Sequence, residues 1–216
     1  MLVTGASGYI GRRLIPELIR RGHTVRALVR AGTLLSFPPG CTLVEGDALD
    51  RNTFIHAIPP ADTFIHLVGV SRPRPSKAQG FRTIDLVSVR EAALAAESVG
   101  INHLIYLSVA HPAPVMRNYI AVRVEGEKIV AGAASSVTIF RPWYVLGPGH
   151  RWPILLSPAY SIASLVPGLR VGASRLGLVT LRQMIAAIAA AVENPPAGVR
   201  IMGVPEIRKG GRSDPG

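Results

Sequence analysis

Residues 4–11 read Thr-Gly-Ala-Ser-Gly-Tyr-Ile-Gly and follow directly on the short apolar run Met1-Leu2-Val3. Beyond them Leu14, Ile15, Leu18 and Ile19 recur on one side of a helical period, with Arg13, Glu17 and Arg20 on the other. A second apolar run, Thr24–Val29, comes next. Strand, glycine-rich turn, helix and strand are the parts of a βαβ unit. In such a unit the turn amides and the positive end of the helix face one point, where a diphosphate binds. Gly5 permits the tight turn, Gly8 the close approach of the pyrophosphate, and Gly11 the packing of helix on strand. A plain glycine-rich turn would show the same three glycines; the flanking strands and helix favour the cofactor site.

The same alternation continues along the chain. Strands are expected at Thr42–Glu45, Thr63–Val68, His103–Leu107, Ser136–Phe140 and Val199–Val204. Helices are expected at Asp50–Ala57, Ala78–Ser98, Met116–Ala131 and Thr180–Glu193. Short apolar strands between helices imply a parallel sheet covered on both faces, hence an α/β, doubly wound fold. Right-handed crossovers then place a ligand outside the C-terminal ends of the strands. We expect a cofactor-binding domain at 1–146, a small substrate-side or lid region at 147–208 that completes it, and a disordered tail at 209–216.

Composition narrows the function classes. The 216 residues carry a net charge of +11, yet only three of the 24 basic residues are lysines (Lys77, Lys128, Lys209). That bias, with abundant Ala, Gly and Pro, fits a GC-rich genome. The arginines are scattered, without the basic block or interleaved aromatics of a nucleic-acid surface, so nucleic acid is not an expected partner. One cysteine, Cys41, excludes a disulfide or a CxxC pair within the chain, and the histidines lack metal-ligand spacing, so no metal is expected. No apolar stretch reaches 18 residues, and the N-terminus reads as a strand rather than a leader; the chain reads as cytoplasmic. The apolar segment Trp152–Pro167 reads either as a packed helix over the sheet or as a lid over a hydrophobic substrate. It lacks a dense Lys/Arg face, although peripheral membrane contact stays open.

The second strand bears on the choice of cofactor. Sites that prefer NAD carry an acid near its end to hold the ribose 2′-hydroxyl. Between Glu17 and Glu45 there is no acid, and the strand ends Ala-Leu-Val-Arg. Arg30 would pair with a 2′-phosphate, with Arg12 or Arg13 as a second contact, so the cofactor is read as NADP, with NAD as the alternative. A solvated surface arginine is the plainer reading of Arg30.

Taken together, Thr4–Gly11 (TGASGYIG), Ala27–Arg30 (ALVR), Gly46-Asp47 and Phe140–Gly149 (FRPWYVLGPG) resemble the extended and atypical short-chain dehydrogenase/reductase superfamily. Within it the likeness is to NmrA-like proteins and to the nucleotide-binding accessory subunit of respiratory complex I. The resemblance implies a Rossmann-type sheet with Thr4, Gly5, Ser7, Gly8, Tyr9, Ile10 and Gly11 around the diphosphate. It implies Asp47 on the adenine amino group with Ala48 beside the ring, and Leu67, Val68 and Gly69 along the adenosine ribose and diphosphate. As a bare sequence feature, Asp47 reads equally as a helix cap.

The resemblance also implies a catalytic set of Ser or Thr, Tyr, and Lys four residues after the Tyr. Ser108 and Tyr119 match it, but Arg123 stands at the lysine position. Spacing i, i+4 keeps Tyr119 and Arg123 on one helix face. A nearby cation favours a phenolate, so arginine can supply the charge, although it cannot release a proton as lysine can. Arg123 then binds the nicotinamide ribose and activates Tyr119, or the site has decayed to cofactor binding. Glu125 and Glu127 are expected to be solvated and His66 to be a satisfied core residue. Trp143 and Tyr144, after Arg141-Pro142, would stand on the substrate side. The leading function is an NADP-dependent oxidoreductase on a small or apolar carbonyl or alcohol. A non-catalytic NAD(P)H sensor or assembly protein is the alternative. A nucleotide-sugar epimerase or dehydratase ranks last, because only about 70 residues follow Gly147.

Overall fold

A computed structural model describes residues 1–70, 73–113, 115–149 and 176–210. Strands β1 (Leu2–Thr4), β2 (Val25–Val29), β3 (Cys41–Glu45), β4 (Thr63–His66), β5 (His103–Leu107), β6 (Ser136–Phe140) and β9 (Gly198–Met202) form one parallel sheet in the order β3-β2-β1-β4-β5-β6-β9. Strands β7 (Tyr144–Leu146) and β8 (Leu178–Thr180) pair parallel in a separate two-stranded sheet. This is the doubly wound arrangement expected, and it reverses direction between β1 and β4, where such folds open a crevice.

Adjacent residues of the central strands are buried on opposite faces. Leu2, Leu28, Phe64 and Leu104 pack with Phe54, Phe81 and Val89 in one core cluster. Their neighbours Val3, Val29, Ile65 and Ile105 pack with Leu14, Ile15, Leu18 and Ile188 in the other. Both clusters are apolar because helices shield both faces, which is why the strands read as unbroken apolar runs. The first face is covered by α3 (Val87–Ser98) and α4 (Arg117–Val130), the second by α1 (Gly11–Arg20), α5 (Leu181–Glu193) and α6 (Val204–Gly210), with α2 (Ala78–Gly80) leading into α3. No helix among the described residues is long and apolar enough to cross a membrane.

Three elements differ from expectation. Asp50–Ala57 forms two 3-10 turns, Arg51–Thr53 and Ile55–Ala57. Thr53 Oγ1 accepts Asp47 N–H and also bonds the carbonyls of Asp47 and Asp50, which closes the turn too tightly for an α-helix. The helix expected at Ala78–Ser98 contains a π-helical turn, Phe81–Leu86, between α2 and α3. The final strand ends at Met202, and α6 continues through Lys209 and Gly210, residues expected in the tail. Residues 211–216 and the apolar stretch Trp152–Pro167 lie outside the described residues. The small region after Gly147 is not wholly peripheral, since β9 extends the main sheet and α5 packs on α1.

Candidate functional site

The candidate cofactor residues gather at the C-terminal ends of β1 to β4. Gly5 has φ +74°, and a Cβ there would lie 2.9 Å from the Leu67 carbonyl carbon. Gly8 N–H donates to Gly5 O at 2.9 Å. A Cβ on Gly11 would collide with Gly5 O and lie 2.8 Å from Ala6 Cα. Side chains at these glycines would fill the turn, so it fits a bound diphosphate. The first turn of α1 has no acidic residue, leaving the positive helix end for an anion. Arg12 and Arg13 flank it, but both brace the turn: Arg12 Nε donates to Ser7 O at 2.8 Å and Arg13 Nη1 to Tyr9 O at 3.2 Å. Tyr9 in turn lies over Gly147, where a Cβ would collide with its Oη. The Gly-Pro-Gly segment therefore folds back onto the glycine turn. Ile10 is half-buried against the core.

Thr4 is turned away from this crevice. Its side chain is buried and its Oγ1 bonds His66 Nδ1 at 2.8 Å, so its hydroxyl is not available to a diphosphate. Burial pushes His66 down to about 3, with the Arg123 charge adding to the effect, and the ring stays neutral as a core residue. Arg30 is exposed at the end of β2; the Val29–Glu45 register sets it opposite Gly46. Asp47 is exposed and caps a turn, its Oδ1 accepting Leu49 N–H at 3.0 Å, with Ala48 half-buried beside it. Leu67, Val68 and Gly69 form the turn after β4.

Tyr119 and Arg123 share one face of α4, as their spacing predicts. The Arg123 guanidinium lies 5.2 Å from the Tyr119 ring centroid, and Phe81 packs on the same ring at 5.0 Å. Arg123 is buried. Its Nη1 donates to Leu107 O at 3.0 Å, its Nη2 lies 3.2 Å from Asp85 Oδ2, and a Cβ on Gly69 would collide with Nη2. Burial opposes its charge, but Tyr119, Tyr106 and Asp85 outweigh it and hold the pKa above the ordinary arginine value. Burial pushes the Asp85 carboxyl up, against the pull of Arg123 and of Val70 N–H.

Ser108 belongs to a second cluster. Its Oγ donates to Glu127 Oε1 at 2.5 Å, while Arg141 grips the same carboxylate through Nε (2.9 Å) and Nη2 (2.5 Å), and His111 Nε2 lies 3.2 Å away. The expectation of a solvated Glu127 is therefore wrong: its side chain is 7% exposed. Burial disfavours its charge, yet hydrogen bonds from Arg141, Ser108 and His111 bring the pKa below the ordinary value. Glu125 does face solvent, paired with Arg90 at 2.8 Å. Among the described residues no hydrogen bond joins Ser108 to Tyr119. Glu127 sits eight residues beyond Tyr119, roughly 12 Å along the helix axis, so Ser108 is anchored two turns away. Extending the i, i+4 count from Tyr119 and Arg123 by one step would have found Glu127. Nothing local marks Asp85 or His111.

Trp143 and Tyr144 follow Arg141-Pro142, half-buried, with rings edge-on at 5.5 Å. Trp143 packs on the α1 side of the sheet. The arrangement offers a glycine-rich turn at a helix end free of acids, an exposed arginine beyond it, and a tyrosine over a buried cation at the ends of β4 and β5.

Residues 5–148 match the model of a protein family described as NAD(P)H-binding. A ceramide reductase of Caulobacter vibrioides is 28% identical over 211 residues, 97% of this chain and 65% of that protein. A 4-hydroxy-2-methyl-3-oxo-4-farnesyl-3,4-dihydroquinoline-1-oxide ketoreductase of Stigmatella aurantiaca is 25% identical over 167 residues, 67% of this chain and 50% of that protein. The chain thus spans between half and two thirds of these two relatives. A short-chain dehydrogenase/reductase superfamily protein of Agrobacterium tumefaciens, solved with bound NAD, superposes with TM-score 0.67 at 20% identity, covering 94% of this chain and 76% of that one.

Proposed function

The chain belongs to the NAD(P)H-binding family and shares the fold of a short-chain dehydrogenase/reductase superfamily protein, and we propose that it is an NADP-dependent oxidoreductase acting on a small or apolar carbonyl or alcohol. The observation that carries this reading is Tyr119 over the Arg123 guanidinium, beside the Leu107 carbonyl and Gly69, at the strand ends where the fold binds its ligand. When bound, the cofactor supplies or takes the hydride. Gly5, Ser7, Gly8 and Gly11 hold its diphosphate, Asp47 and Ala48 its adenine, and Leu67–Gly69 its adenosine ribose. Tyr119 passes a proton to or from the substrate oxygen, with the Arg123 guanidinium beside its ring. While its hydroxyl donates to Glu127, Ser108 can accept a hydrogen bond from a substrate hydroxyl but cannot donate to a carbonyl. Trp143 and Tyr144 line the substrate side. Residues 1–146 form the cofactor-binding part, and 147–208 complete the same domain.

Arg30 supports NADP, as an exposed guanidinium at the end of an acid-free strand. The relatives named for ceramide and for a farnesylated quinoline favour an apolar substrate. A single half-buried cysteine suits a cytoplasmic setting. Titration with NADPH and NADH tests the cofactor: Arg30→Ala should weaken NADPH by about tenfold or more and leave NADH unchanged. Equal loss for both would remove the 2′-phosphate role. Tyr119→Phe should abolish turnover of long-chain ketones with cofactor binding intact.

A second reading, a cofactor-binding protein without turnover, is favoured by the engagement of Ser108 with Glu127 and of Arg123 with Asp85. It predicts tight NADPH binding and no oxidation of NADPH across a broad carbonyl panel.

A further inference from the structure

Asp85 has no part in the roles proposed above. It lies in the π-helical turn before α3 with its side chain fully buried. One oxygen, Oδ1, accepts Val70 N–H at 2.6 Å, and the other lies 3.2 Å from Arg123 Nη2. A single carboxylate thus joins the segment after β4 to the cation beneath Tyr119. π-Helical turns of this kind recur at functional sites.

We propose that Asp85 is the positioning residue of this site: it holds the Arg123 guanidinium against Gly69 and cancels the charge that Tyr119 would otherwise feel. The proposal rests on reading Tyr119 and Arg123 as the reaction pair. A lone buried cation about 5 Å from a phenol favours the phenolate strongly, whereas an ion pair acts as a dipole whose field falls off faster. The other groups around Arg123 do not replace this cancellation. Tyr106 of β5 presents its hydroxyl at 3.4 Å, and His66 of β4 is held neutral by burial. Phe81, packed on the Tyr119 ring, is apolar, and Glu127, one turn along α4, is paired with Arg141. Among the described residues Asp85 is therefore the anion that balances Arg123.

Two variants test this. Asp85→Asn keeps an acceptor for Val70 N–H and removes the charge. Asp85→Asn with Arg123→Met removes both charges and leaves no lone buried ion. The readout is tyrosinate absorbance against pH, with each variant's Tyr119→Phe counterpart subtracted and folding checked by circular dichroism. In Asp85→Asn the Tyr119 titration should move to lower pH, with about tenfold more phenolate at a given pH. In the double variant it should stay within about threefold of the wild type. No shift in Asp85→Asn, or a tenfold shift in the double variant, would overturn the proposal; if Asp85→Asn does not fold, the double variant decides alone. The measurement needs neither cofactor nor turnover, so it reports on Asp85 even if the protein reduces nothing.

Discussion

Acidification from pH 7 to pH 5 should cost this protein several kcal/mol of stability, and His66 is the main reason. In an unfolded chain histidine takes up a proton near pH 6.5. Folded His66 is enclosed between Thr4 and Ser88, its Nε2 3.4 Å from Ser88 Oγ, and stays neutral until about pH 3. Its folded pKa is lowered, so the unfolded state binds the extra proton and stability falls as pH drops through 6.5. Linkage over two pH units gives about 2 kcal/mol for this residue. His103, buried with its Nε2 2.9 Å from Thr138 Oγ1 and lowered to about 4 by burial, adds up to a similar amount. A total near 4 kcal/mol is large beside the roughly 5–15 kcal/mol of a whole domain. Glu17, brought down to about 2 mainly by its hydrogen bond from Arg20, loses its contribution only as pH falls below the ordinary carboxylate range. Asp85, pushed up by burial, works in the opposite sense and gains on protonation. Urea unfolding at a series of pH values measures the slope, and His66→Asn should remove about half of it. A wild-type loss under about 1 kcal/mol, or an unaltered slope in His66→Asn, would refute the reasoning.

Two other perturbations probe the site directly. Gly11→Ala drives a methyl group into Gly5 O and Ala6 Cα, both backbone atoms that cannot swing aside. It should cost about 1–3 kcal/mol in urea unfolding and most of the NADPH affinity by fluorescence titration; unaltered affinity would mean the turn does not hold the diphosphate. Glu127→Gln leaves the Arg141 guanidinium without its anion and should cost about 3 kcal/mol, seen as a lower unfolding midpoint. A change under about 0.5 kcal/mol would show that solvent already screens the pair.

Much of the geometry of the candidate site can be read from the chain because its determinants are local. Gly5, Gly8 and Gly11 must be small wherever that turn occurs, and Tyr119 and Arg123 share a face through helical period alone. Arg30 ends its strand because the apolar run stops at Val29. The helix expected at Thr180–Glu193 agrees with α5 within a residue, since Thr180 and Gln183 form a capping box. The errors concern partners distant in sequence. Glu127 looked solvated because acids on helices usually are; Arg141, Ser108 and His111, which bury it, lie on the loops after β5 and β6. Thr4 looked like part of the diphosphate turn, but His66, 62 residues away, takes its hydroxyl. Ser108 occupies the family's position, yet its hydroxyl follows the strongest acceptor within reach.

The sequence by itself determined the doubly wound sheet, the tight glycine turn and the tyrosine–arginine pair, because backbone conformation and helical period depend on near neighbours. Tertiary structure alone decided how these groups are charged and which bonds they make. Asp85 neutralises Arg123, Glu127 holds Ser108, and His66 is kept from protonating, each through burial against residues tens of positions away. Away from water an unpaired charge or donor is costly, so each buried group takes the partner that packing brings to it, which local sequence does not show.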